Sequence, residues 1–122
     1  MKWNPDKNHE GSSVLPGHKY AVAVEDATEC ETRNGDPMIK LKLIMTVGKR
    51  QFTQWMNITP AYMPGLKAFA MVANLESEFE AGTINEKHCM GKRFGIVMGT
   101  AKTERGYYEP ESFCKLSEVD QS

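Results

Sequence analysis

The sequence predicts a mainly-β domain of five strands, with one helix between the third and fourth. Two observations carry this. Apolar residues recur at period two in five stretches separated by turns rich in Gly, Asn and Pro, and only the segment opening at Thr59-Pro60 changes to helical spacing. The chain of 122 residues suits one domain and is long enough to bury a core without disulfide or metal staples.

Residues 1–16 read as a flexible arm, polar and broken by Pro5, Gly11 and Pro16. A folded domain over residues 17–115 and a short acidic tail over 116–122 follow. The first strand spans roughly 18–27, where Tyr20, Val22 and Val24 alternate with smaller or polar residues. Asn34-Gly35 and Pro37 mark the next turn, in a connection longer than a tight hairpin. The second strand, 38–47, places Ile39, Leu41, Leu43, Met45 and Val47 on a core face and Met38, Lys40, Lys42, Ile44 and Thr46 on the other. After the turn Gly48-Lys49-Arg50, the third strand covers 51–58. Phe52, Met56 and Ile58 take the inward parity there, and Gln51, Thr53, Trp55 and Asn57 the outward one. A one-residue bulge would reverse that parity and make Trp55 a core ring, so both orientations stand at this point.

Thr59 is placed to cap the helix and Pro60 to open it, and Tyr62, Leu66, Phe69, Ala70 and Ala73 form its apolar face to about Asn74. Pro64 and Gly65 weaken its start. Glu76, Glu78 and Glu80, at a spacing of two, suit an exposed loop or strand, with a short helical turn near 84–90. The fourth strand, 92–101, alternates Phe94, Ile96 and Met98 with Arg93, Gly95, Val97 and Gly99. The turn 103–106 leads to a fifth strand beginning at Tyr107, which Pro110 marks as an edge or interrupted strand.

The order β-β-β-α-β-β fits a five-stranded OB-fold-like Greek-key barrel, with Leu66, Phe69 and Ala70 plugging its open end. In such a barrel strands two and three form the ligand platform and the β1–β2 and β4–β5 loops flank it. Those loops are roughly 28–37 and 101–107 here and carry Arg33, Lys102 and Arg105. The net charge of −1 does not point to nucleic acid, but its distribution does. Residues 33–67 hold Arg33, Lys40, Lys42, Lys49, Arg50 and Lys67 against Asp36 alone, a basic stripe on a neutral protein. An ordinary solvated strand face accounts for the stripe equally well.

Single-strand binders combine a positive groove for phosphates with aromatic rings on which bases stack. In that scheme Trp55 is the stacking ring and Lys40 and Lys42 contact phosphates. Lys49 and Arg50 reach from the groove rim, Arg93 joins from the fourth strand, and Tyr107 adds a second ring. The competing readings are a core Trp55 and a solvated lysine face that discourages edge pairing. No G-x-S-x-G, Walker or H-E-x-x-H pattern occurs, and His9, His18 and His88 are isolated, so no enzyme is expected. Cys30, Cys89 and Cys114 are scattered, with no C-x-x-C pair; neither a disulfide framework, a metal nor a cofactor is expected. The polar first residues lack the apolar run of a signal peptide and no run is long enough to span a bilayer, so a cytoplasmic protein is expected.

The segments LPGHKYAVAVEDA, NGDPMIKLKL, ITPAYMPGLKAF and MGKRFGIVMG, in that order over roughly residues 15–110, resemble a family of small bacteriophage domains. That family is often encoded beside phage recombination and replication genes and is regarded as binding single-stranded DNA through an OB-like core. The resemblance implies sequence-independent single-stranded DNA binding in the host cytoplasm, with recombination or replication proteins as further partners. A homodimer is expected by analogy with OB-type single-strand binders. The chain departs from the family at Tyr107-Tyr108-Glu109-Pro110-Glu111, which is more acidic than the family's last strand and contains a proline. The alternative is an OB-type protein-interaction module, an adaptor for a recombinase or nuclease without DNA contact.

Overall fold

The structure, a computed structural model, describes residues 14–119. Most of the expected arm, with Trp3, and the last three residues of the expected tail lie outside the described residues. The strands are β1 (Lys19–Glu31), β2 (Pro37–Val47), β3 (Arg50–Ile58), β4 (Arg93–Met98) and β5 (Pro110–Cys114). They form one antiparallel sheet in the order β3-β2-β1-β4-β5, curled into a half-barrel. Three short helices, α1 (Met63–Val72), α2 (Glu76–Ala81) and α3 (Glu86–Cys89), all fall in the β3–β4 connection. The mainly-β class expected from the sequence is therefore present.

Strict alternation builds β2. Ile39, Leu41, Leu43, Met45 and Val47 are buried, while Lys40 and Thr46 are exposed. Val47 pairs with Arg50 across a two-residue turn led by Gly48 at φ +60°, the glycine-first geometry that matches strand twist. β1 is longer than the alternation suggested, because polar Thr28–Glu31 still pair with Pro37–Lys40. The β1–β2 turn is held by Thr32, whose hydroxyl accepts from the Asn34 and Asp36 amides at 3.3 and 3.1 Å. β1 also carries a bulge: Val24 pairs with Leu43 and Asp26 with Lys42, leaving Glu25 over. The inward phase then passes from Val22 and Val24 to Ala27.

The concave side is filled by Tyr20, Val22, Val24, Leu41, Leu43, Met45, Phe94, Ile96 and Met98, with Phe69, Ala70, Ala73 and Leu75 from the helical connection. Phe69, Phe94 and Phe113 meet edge to face at 5.4–5.6 Å between ring centroids, which ties α1 to both β4 and β5.

Three further elements differ from expectation. The first helix starts at Met63 rather than Pro60, and Tyr62, not Thr59, precedes it. The Thr59 hydroxyl instead donates to the Pro37 carbonyl at 2.6 Å and accepts from the Ala61 amide at 3.2 Å, which ties the end of β3 to the start of β2. Helix α1 ends before Asn74, which adopts φ +59°. Residues 76–81 form a helix rather than a loop or strand. Glu76 and Glu78 sit in its first turn, where the helix dipole favours them, and Gly82 closes it at φ +71°. β5 begins at Pro110, not Tyr107. A turn holds residues 103–107, with the Thr103 amide donating to the Tyr107 carbonyl at 2.8 Å, so Tyr107 lies in a loop. At the ends, Val14 packs on the core, Leu116–Glu118 form a 3-10 turn, and Val119 lies over Gly95. Among the described residues, no helix is long and apolar enough to cross a membrane.

Candidate nucleic-acid interface

The convex face of β2 and β3 follows directly from the register. Lys42 stands opposite Trp55 and Lys40 opposite Asn57, with Ile44–Thr53 and Thr46–Gln51 continuing the rows. No bulge intervenes in β3, so Trp55 points away from the core and is 52% exposed. The Lys40 ammonium lies 5.0 Å from the Trp55 ring centroid, within cation–π range. One face of the indole is thus shared with a cation, and the ring sits in a field that attracts anions.

Arg93 belongs to the same face. It pairs with Ala23, which pairs with Ile44, which pairs with Thr53. Three strand spacings put it about 14 Å across the sheet from the β3 row. Arg50 does not belong. As the first residue of β3 it shares the parity of Phe52, and its guanidinium lies 5.5 Å from that ring. Lys49 is exposed in the β2–β3 turn. The β4–β5 loop reaches the same end of the sheet, because β4 runs antiparallel to β1. It carries exposed Arg105, Tyr107 at 49% exposure, and Lys102, whose ammonium lies 5.8 Å from the Tyr108 ring. Arg33 is exposed in the β1–β2 turn at the opposite end, about 35 Å away by the length of an 11-residue strand. The fold therefore gathers Lys40, Lys42, Trp55 and Arg93 on one face. It places Lys49, Lys102, Arg105 and Tyr107 at one end, Arg33 at the other, and Arg50 on the wrong side of its strand.

Sequence reasoning missed two acidic members of this face. The β1 bulge directs Glu25 to the convex side, where its carboxylate meets Lys42 Nζ at 2.9 Å, and Asp26 lies opposite Lys42 in register. The hydrogen bond that Lys42 donates to Glu25, and then the Glu25 charge, raise the Lys42 pKa above the usual lysine value. Lys40, Lys42 and Arg93 are thus set against Glu25 and Asp26, a face that is only mildly positive. The signal was present in the sequence: Glu25-Asp26 breaks the alternation of Val22, Val24 and Ala27, as an extra residue in a strand does.

Among the described residues, no group of three or more His, Cys, Asp or Glu is arranged to hold a metal ion. Cys30, Cys89 and Cys114 are free thiols. Burial pushes the Cys89 thiol up to about 11, against the lowering charge of Lys92 and with a smaller push from Glu29. No family model matches the chain, and neither does any curated protein.

Proposed function

We propose that the chain is a single-stranded DNA-binding protein of OB type, sequence-independent and of the kind that coats exposed strands during phage replication and recombination. The observation that carries this reading is the exposed Trp55 on the convex face of β2 and β3, with the Lys40 ammonium over its ring and Lys42 opposite it in register. A flat ring with cations beside it supplies both terms that single-strand binding needs: stacking and phosphate neutralisation. The spatial order β4-β1-β2-β3, with β4 returning by a long connection to lie beside β1, is Greek-key order and supports an OB-like barrel opened between β3 and β5. The resemblance to the phage domains supports the biological setting.

The test is a titration of oligo-dT into the full chain at low and moderate salt, followed by tryptophan fluorescence. The expected outcome is quenching that weakens with salt. No binding at low salt refutes the proposal. It leaves the alternative of a protein-interaction module, which a partner pulldown insensitive to Lys40→Glu/Lys42→Glu would support. Trp55→Ala is expected to weaken binding more than Trp3→Ala.

A further inference from the structure

A cleft of about 350 Å³ opens between the Pro37 end of β2, the Ile58 end of β3, and helices α1 and α2. Its walls are apolar, including Ile39, Ile58, Met63, Leu66 and Phe79. Two carboxylates line it, Glu29 and Glu78, and no Lys, Arg or His does. Glu29 pairs in register with Ile39 and so lies on the core-facing side of β1, at the open end of the half-barrel. Among the described residues neither carboxylate has an ion-pair partner. The cleft includes none of Lys40, Lys42 and Trp55; of that face only Met38, at the end of β2, also lines it.

We propose that this cleft docks a segment of a partner protein that carries apolar side chains next to a lysine or arginine. Apolar walls take up the aliphatic side chains and the two unpaired carboxylates take the cation, so charge and shape ask for the same kind of segment. A protein segment fits better than a small molecule because the apolar surface runs past the rim. Met63, half in the wall, is 51% exposed, and Tyr62 beside it is 64% exposed. This reading stands apart from nucleic-acid binding and does not depend on it.

The experiment is methyl NMR of the full chain labelled at its methionine methyl groups. Met38 and Met63 line the cleft, whereas Met71 and Met90 are exposed outside it, and Met45 and Met98 are fully buried and report the fold. The probes are acetyl-Leu-Lys-Leu-Leu-amide, the same peptide with Glu for Lys, and n-hexylammonium. The lysine peptide is expected to move Met38 and Met63 and leave Met71 and Met90 in place. Its half-saturation should be about 25-fold lower than that of the glutamate peptide, because an attraction worth about fivefold at contact distance in water becomes a repulsion of the same size. Glu29→Gln/Glu78→Gln should abolish that preference while the Met45 and Met98 signals stay put. The proposal is overturned if neither peptide moves Met38 and Met63, or if both peptides bind alike. It is also overturned if n-hexylammonium saturates the cleft as readily as the peptide, which would assign it to a small amphiphile.

Discussion

Replacing Glu25 by Gln should strengthen single-stranded DNA binding. In the folded chain Lys42 is held by Glu25 at 2.9 Å on the face where phosphates are proposed to lie. A phosphate reaching Lys42 must therefore compete with a carboxylate already in place. Glu25→Gln removes that competitor and keeps the side chain's size. If one further cation then neutralises a phosphate, the dependence of log K on log salt steepens by about 0.7, the increment for one contact on a single strand. Over a fourfold drop in salt, from about 200 to 50 mM, the variant should gain about 2.6-fold more affinity than the parent. The assay is fluorescence anisotropy of labelled oligo-dT at four or more salt concentrations, with thermal unfolding as a control. The unfolding midpoint should barely move, because exposed ion pairs contribute little to stability. An unchanged salt slope, or weaker binding, would refute the idea that Lys42 contacts phosphate.

Trp55→Ala should lower affinity for oligo-dT by about 5- to 150-fold, the range for losing one stacked base, while leaving thermal stability near that of the parent. Phe69→Ala empties the centre of the three-ring cluster, and urea unfolding should show a loss of about 3–5 kcal/mol. Gly95→Ala should cost about 1–3 kcal/mol by overpacking. Its new Cβ would stand 2.5 Å from Cys114 Sγ and 2.9 Å from Val119 Cγ2. The Cys89 thiol, raised by burial from 9.0 to about 11, binds its proton more tightly folded than unfolded. Its contribution to stability is complete below about 9 and is lost as pH rises towards 11. Cys89→Ala should flatten that part of the stability–pH curve in urea titrations.

Much of the candidate interface was legible because β2 is a strict alternation joined to β3 by a two-residue turn. Once Gly48 leads that turn, Lys42 must face Trp55. Arg50 was misplaced because a residue at the end of a turn is also the first residue of a strand, and its parity then puts it with Phe52. Glu25 was missed because its effect needs the bulge, and the bulge is visible only as two consecutive polar residues. The helix start was misjudged for a tertiary reason: the Thr59 hydroxyl finds the Pro37 carbonyl, 22 residues away in sequence. Tyr107 was assigned to a strand on its aromatic character, but the turn before it leaves Pro110 as the first residue able to pair with β4. The cleft was beyond local reading altogether, since its walls come from β1, β2, β3, α1 and α2.

Strand β1 is shared between a near partner and a distant one. Its pairs with β2 join residues 6 to 25 positions apart, whereas its pairs with β4 join residues 70 to 78 positions apart. Loops that close early cost less chain entropy, so the β1–β2–β3 meander can assemble before β4 docks. Lys40, Lys42, Trp55 and Glu25 all belong to that meander. The candidate interface is therefore encoded mostly in the part of the chain that closes locally, and Arg93 alone comes from a strand whose pairing closes a long loop.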